Sequence, residues 1–558
     1  MNIHALYHRP QSEYAFPVSL DRAVIRFRAA RDDLKSVRLV VKYKYNEKPI
    51  GEAVMRKRFS DTLFDYYEHT VETDRGRRLY YFVLTDNCGN VMYYTETGAL
   101  PPEDIPDGYF PHFQIPFVSV SDVVSVPQKF RNTVIYQIFP DRFYTASPKT
   151  DWGKRPRHDD YFGGDLWGAA EKLYHISSLG MNAVYLTPIT ASRSNHRYDV
   201  EDYYSVDERL GGDRAFAAFV DRAHALGIKV ILDGVFNHCS AHNRMFADVR
   251  ANGKRSQFYD WFIIKGDAPH CNFSGGRADC NYETFAWNAA YMPKLNCDNY
   301  KVRAFAADVA AHWIKKFGVD AWRLDVGDDV SIEMWREVRR AIKAADGNAI
   351  MIGENWMDPR AYLSGGAFDG VMNYGFLRAV RDWLAYKKTD AIGAAQQLVR
   401  SYLRVNSANA RMMMNLIDSH DTHRFFTLCG EDMFDYHAAL AVMFFYDGMP
   451  TVYYGDELPL SGDSDPDCRR GFDWSRTGSE TSRLIKTLAD MRRGEADDAE
   501  TDIRAENGAL VITRTAGGKT NSLAVNATDR TAGTALGDIP PRSASVVIDG
   551  NAVKLGVR

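Results

Sequence analysis

Eight short apolar runs, most of them separated by amphipathic stretches, fill the middle of this 558-residue chain. They are "TVIYQIFP", "AVYLTPI", "KVILDGVFNH", "AWRLDV", "AIMIGENW", "GVMNY", "MMMNLIDSHD" and "TVYYGDE". Between them lie segments of helical period such as "DRAFAAFVDRAHALG" and "NYKVRAFAADVAAHWIKKFG". Strands that are apolar on both faces need cover on both faces, and alternating helices supply it. Eight βα units over roughly 350 residues point to an α/β fold, a (β/α)₈ barrel with insertions rather than an open sheet. The largest insertion follows the third run, from about His238 to Cys297. It has little helical period and reads as a small loop subdomain over the barrel mouth.

The flanks follow a different rhythm. Residues 1–120 alternate or are β-branched and aromatic, as in "AVIRFRAA", "VRLVVKYKY" and "RRLYYFVLTD". A stretch with Pro101, Pro102, Pro106, Pro111 and Pro116 reads as a linker into the barrel segment, 121–490. Residues 491–558 return to β with "ALVITRT", "NSLAVNATD" and "SASVVID". A net charge of -4 excludes the broad basic surplus of a nucleic-acid binder. No apolar run is long enough to cross a membrane, and the first residues carry no signal-peptide pattern. Seven scattered cysteines, an odd count without a CxxC pair, argue against a disulfide framework and a zinc site. A reducing, cytoplasmic home is expected.

Barrels of this type carry their chemistry at the C-terminal ends of the strands. The polar residues there are Asp233, Asn237 and His238 after the third strand, Arg323 and Asp325 after the fourth, Glu354 after the fifth, and Asp418, His420 and Asp421 after the seventh. Strand alternation puts Arg323 and Asp325 on one face, the lumen, with Trp322 and Leu324 on the other. One buried ion pair has an ordinary structural explanation. Three carboxylates from three strands would repel one another unless function required them. With no phosphate loop, metal cluster or nucleophilic serine, Asp325, Glu354 and Asp421 suggest glycoside hydrolysis, which needs one ionised and one protonated carboxyl. Arg323 is expected to lower the pKa of Asp325, and the negative surroundings to raise that of Glu354. Spacing in sequence leaves retention and inversion both open.

"DGVFNH", "GVDAWRLDV", "GENW" and "NLIDSHD" resemble, in order, the four signature regions of the α-amylase family (glycoside hydrolase family 13). "MPKLN", "YQIFPDRF", "FDGVMNY" and "DPDCRR" resemble its neopullulanase, cyclomaltodextrinase and maltogenic-amylase group, and "ALYHRPQSEYAF" resembles that group's N-terminal β-sandwich, a carbohydrate-binding-like module. The resemblance implies a retaining hydrolase of α-1,4-glucosidic bonds in cyclodextrins, maltodextrins and pullulan. It makes Asp325 the nucleophile, Glu354 the general acid and base, and Asp421 the stabiliser of the transition state. It puts Arg323 beside the nucleophile, His238 and His420 on sugar hydroxyls, and Tyr198 under the sugar ring. Asp465 and Arg469 would contact the next sugars, with a mutual salt bridge as the structural alternative. Phe285 and Trp356 would be acceptor-side aromatics, although aromatics more often serve a core. Asp233 would support the site, and the N-terminal module would pack in a homodimer.

The chain departs from the pattern in three places. A calcium loop of relatives matches "FYTASPKTDW", where Thr145, Ser147 and Thr150 replace oxygen-rich ligands and only Asp151 and the later Asp165 carry charge. Calcium wants six to eight oxygens, so an empty or weak site is expected, and no other cofactor. After the nucleophile stands Gly327-Asp328-Asp329 instead of Ala-Asn-Glu, at positions facing the acceptor subsites, which leaves hydrolysis and transglycosylation both open; a related α-1,6-acting or transglycosylating enzyme is the alternative enzyme reading. Asp418 replaces a frequent glycine. A carbohydrate-binding pseudoenzyme is the non-enzyme alternative; loss of the three carboxylates marks such proteins, and here all three are present.

Overall fold

The computed structural model describes residues 1–558 except 46–48, 105–110, 147–150, 275–276, 287–288, 365, 498 and 554–558. Two compact units divide it: one of residues 1–126, 388–411 and 500–550, and one of residues 127–387, 412–499 and the C-terminal tail.

The second unit is the barrel. Its eight parallel strands are Ile135–Ile138, Ala183–Leu186, Lys229–Gly234, Ala321–Leu324, Ile350–Gly353, Gly370–Val371, Met414–Asn415 and Met449–Tyr453. They pair in sequence order, with the first strand also beside the eighth. Closure between the sixth and seventh rests on one bridge, Met372 to Met414. The approach there is close: a Cβ on Gly370 would lie 1.9 Å from the Met412 carbonyl oxygen, so only glycine fits. All eight expected strands are present.

Helices form where caps and apolar stripes agree. Asn299 caps Tyr300–Phe317 by accepting from the Lys301 amide, and Gly318, at φ 72°, ends it. Ser331 caps Ile332–Ala345, which buries Met334, Trp335, Val338 and Ile342 on one face. Asp165 caps Leu166–Ser178.

Two details of the insertion depart from expectation. It contains a helix, Arg244–Asn252, whose Met245, Phe246 and Val249 are buried; the run is too short for a clear period in sequence. It also contains a disulfide, Cys271–Cys280, in a chain read as lacking a disulfide framework. The antiparallel strands Cys271–Ser274 and Arg277–Cys280 set these two residues opposite each other, Cα to Cα 4.0 Å, a juxtaposition that spacing alone does not reveal.

The first unit holds a four-stranded and a six-stranded antiparallel sheet with a shared core that includes Ile25, Phe27, Val37, Leu39, Tyr80, Phe82 and Leu84. The proline-rich stretch is more than a linker. Phe113–Ile115 pairs with Arg78–Tyr80, and Phe113, Ile115 and Val118 join the core; Pro106 lies outside the described residues. The helix Ala391–Leu403 and the antiparallel strands Glu500–Glu506, Ala509–Ala516, Lys519–Asn526 and Ser543–Ile548 complete the unit. Among the described residues, no helix is long and apolar enough to cross a membrane.

Candidate active site

The fourth strand is buried at every position, and the Arg323 side chain is 0% exposed. Its Nη1 lies 2.9 Å from Asp325 Oδ1 and 2.9 and 3.0 Å from the two Asp233 oxygens. Its Nη2 lies 2.9 Å from Glu354 Oε1 and 4.0 Å from Asp421 Oδ2. One cation therefore faces four carboxylates, delivered by the ends of the third, fourth, fifth and seventh strands. Alternation explains the placement, since Arg323 and Asp325 share the lumen face.

This charge count sets the electrostatics. Burial, and then the Glu354 charge, push the Asp325 carboxyl well above the usual carboxylate range, against the pull of Arg323. The expectation that Arg323 would hold Asp325 below its ordinary value is corrected: one guanidinium shared among four carboxylates does not offset their mutual repulsion and desolvation. Asp233 is likewise raised by burial, to about 6. Asp325 and Asp233 therefore release their protons less readily than isolated carboxylates do.

The histidines are neutral. Burial lowers His238 to about 3 and takes His420 well below its ordinary value. His420 sits between Gln137, whose amide nitrogen is 2.7 Å from Nδ1, and Asp421, 3.2 Å from Nε2. The Tyr198 ring lies parallel to His420 at 5.6 Å, and its hydroxyl donates to Asp233 while contacting His420 Nε2. His238 Nε2 is buried without a hydrogen-bond partner, as are both amide atoms of Asn355 and Asn237 Oδ1. Buried polar atoms left unmatched at a barrel mouth are the atoms a polar ligand satisfies.

The remaining expected residues surround this centre unequally. Phe285, 43% exposed, lies 4.7 Å from the His238 ring. Trp356, 42% exposed, stacks on Tyr374 at 3.8 Å. Asp465 and Arg469 do form the mutual salt bridge, 3.0 Å. Arg469, itself buried, is also anchored to the His420 carbonyl at 2.8 Å and reaches Asp421 at 3.4 Å, so it braces the centre.

Sequence reasoning missed four contributors. Tyr374 places its hydroxyl 3.4 Å from Glu354 Oε1. Tyr185 donates to Asp233 at 2.5 Å. Gln137 supports His420. Val326 adopts φ 50°, a left-handed conformation that β-branched residues avoid, and its amide donates to Glu354 Oε2 at 2.9 Å. Gln137 and Tyr185 were detectable as the polar atoms within lumen-facing strands; Val326 carried no sequence signal.

At the calcium-like loop, Asp165 accepts from the Gly168 amide at 2.7 Å and from the Thr145 hydroxyl at 3.2 Å, and Asp151 accepts from the Gly153 amide. Ser147 and Thr150 lie outside the described residues. Among the described residues, no cluster of three or more His, Cys, Asp or Glu is arranged to hold a metal.

Comparison with known proteins agrees with this geometry. Residues 137–503 match the family model described as alpha amylase, catalytic domain, and residues 1–119 match alpha amylase, N-terminal ig-like domain. Neopullulanase 2 of Thermoactinomyces vulgaris is 37% identical over 532 residues, covering 92% of this chain and 89% of that protein. A cyclomaltodextrinase of Thermoanaerobacter pseudethanolicus is 37% identical over 501 residues, covering 88% and 86%. A solved cyclomaltodextrinase structure superposes with a TM-score of 0.89 at 32% identity, over 95% of this chain and 92% of that one. With the matched catalytic domain spanning the barrel and its carboxylate cluster, the chain belongs to the α-amylase family of glycoside hydrolases.

Proposed function

We propose that this enzyme cleaves α-1,4-glucosidic bonds in cyclodextrins, maltodextrins and pullulan with retention, through a covalent glycosyl-enzyme. The carrying observation is the convergence of Asp325, Glu354 and Asp421 on Arg323 in the lumen. Retention is read from the resemblance of Asp325 and Glu354 to the family's catalytic pair, whose carboxyls in retaining enzymes stand about 5 Å apart.

In this reading Glu354 is the general acid, giving a proton to the glycosidic oxygen as an Asp325 oxygen bonds the anomeric carbon. Glu354 then takes a proton from water, which displaces Asp325 and regenerates both carboxyls. Asp421, the most open of the four with its side chain 28% exposed, bonds sugar hydroxyls and offsets the positive charge that develops on the ring. His238 offers its unmatched Nε2 to a sugar hydroxyl, His420 presents Nε2 beside Asp421, and Tyr198 presents its face to the ring. Phe285 and the Trp356–Tyr374 stack receive the leaving-side sugars.

The names of the relatives support the substrate range. β-Cyclodextrin, pullulan and starch are the test substrates, with Asp325→Asn as control. Hydrolysis of cyclodextrin, lost by at least about 10⁴-fold in the variant, is expected. Inertness of the wild type on every α-glucan would sink the enzyme reading in favour of a binding role. Fast starch cleavage with inert cyclodextrin would sink the substrate reading.

Three further assignments belong here. A homodimer is supported by apolar side chains on the sandwich, Tyr45 at 83% and Val54 at 66% exposure; sedimentation showing only monomer at micromolar concentration counts against it. Cytoplasmic residence is supported by five unpaired cysteines and is tested by cell fractionation. No tightly held calcium is expected, because Asp165 is committed to its helix cap; elemental analysis finding one ion per chain overturns this.

A further inference from the structure

The Cys271–Cys280 pair closes a hairpin that no catalytic role explains. Both residues are partly exposed, whereas Cys239 and Cys468 are buried. The bond spans nine positions, a small loop whose closure constrains little chain. Its position matters more than its loop size.

From Cys280 the backbone runs through a ladder of single bridges toward the catalytic centre. The Asn281 side chain donates to the carbonyls of Lys265 and Ala268. Tyr282 bridges Ile264, and its ring lies 5.0 Å from Phe246. Thr284 bridges Pro293, the Phe285 amide donates to the Met292 carbonyl, and Lys294 bridges His238. The ladder ends with the Phe285 ring against His238, whose Nε2 is one of the unmatched atoms of the site. Isolated bridges lack the mutual support of a continuous sheet, so a covalent tie at one end limits how far the ladder frays.

We propose that Cys271–Cys280 is a reducible site whose bond holds Phe285 in register over His238, so that the redox state of the hairpin sets how well the acceptor side binds glucan. A dithiol is the reductant. One of its thiolates attacks one cysteine sulfur, the S–S bond breaks, and the electron pair leaves on the other sulfur, which takes a proton. The second thiol then releases the first cysteine, giving two cysteine thiols and an oxidised cyclic disulfide. The binding effect rests on the glucan-hydrolase reading above, while the state of the bond does not.

Thiol labelling of the denatured full-length protein reads the bond without any activity. Seven cysteines with one pair leave five labelled before reduction, and seven after it. Seven labelled before reduction, in protein purified under air without reductant, overturns the proposal. β-Cyclodextrin kinetics read the consequence: after dithiothreitol, KM rises roughly threefold with kcat nearly constant, the signature of a loosened binding element. Cys271→Ser/Cys280→Ser must start at the raised KM and ignore dithiothreitol, with an unchanged melting profile of the barrel. An unaltered KM in both the reduced enzyme and the double variant equally overturns it. Failure of the parent reading is distinguishable, because cyclodextrin would then not be cleaved in either redox state.

Discussion

Two of the arginines buried in the barrel unit, Arg142 and Arg323, are used differently. Arg142 donates to Asp141 at 2.7 Å, to the Arg469 carbonyl at 2.8 Å and to the Asp160 carbonyl at 2.7 Å, with the Phe162 ring 4.3 Å away. Asp141 in turn accepts from the amides of Phe162 and Gly163. One positive charge meets one negative charge, and the leftover donors meet neutral oxygens. Arg323, equally buried, meets four carboxylates, beside orphaned atoms of His238 and Asn355. Burial alone separates nothing here. A structural arginine closes its charge count within the protein, whereas the catalytic one leaves an excess of negative charge and unmatched donors for a ligand to resolve.

This contrast can be broken by experiment. The largest effect is on turnover. Glu354→Gln should lower kcat about 10³-fold by removing the proton donor, while Asp141→Asn should leave kcat per folded molecule within about threefold. Steady-state kinetics normalised to the folded fraction compares them, and a comparable loss in both would erase the distinction.

Stability should move the opposite way. Arg142→Met leaves Asp141 buried without its cation and should cost about 3 kcal/mol. Asp325→Asn relieves like-charge repulsion and should gain about 1 kcal/mol, as active sites trade stability for function. Denaturant unfolding at neutral pH distinguishes a gain from a loss.

Burial together with this repulsion has a pH signature. The folded-state value of Asp325 is raised, so its stability contribution is fully present below the unfolded value of about 3.9 and is lost as pH rises through the folded value. Asp233, raised to about 6, acts in the same sense. Wild type should therefore lose stability relative to Asp325→Asn as the pH climbs from about 4 toward neutrality. Parallel stability curves for the two proteins would remove burial and repulsion of Asp325 as the explanation.

The smallest effect tests the link between the aromatic stack and the acid. Tyr374→Phe keeps the ring under Trp356 but removes the hydroxyl from Glu354 Oε1. A fall in kcat/KM of roughly fivefold is expected, the worth of one hydrogen bond near a charge.

Much of this was legible in the chain. The eight strands follow from apolar runs and helical spacers, because a buried parallel strand must be apolar on both faces. The convergence of Asp325, Glu354 and Asp421 follows from strand ends sharing one rim. The Asp465–Arg469 bridge was anticipated. Other features were hidden for definite reasons. Arg244–Asn252 is too short to display a period. Phe113–Ile115 is masked by flanking prolines, yet its alternation suffices for an edge strand. Val326 is an ordinary residue in an unusual conformation, imposed by contacts from another strand.

The sequence by itself determined the fold class, the family and the inventory of charges, because periodicity and residue type are local properties. Only the tertiary structure decided the balance among those charges. Read alone, "RLD" suggests one arginine lowering one aspartate. In the folded barrel that arginine is shared among carboxylates from four strands, and desolvation with mutual repulsion reverses the sign for Asp325. Electrostatic energy is a sum over neighbours in space, and a chain read in order does not show who those neighbours are. The pairing of Cys271 with Cys280 was settled in the same way, by which strands happened to lie side by side.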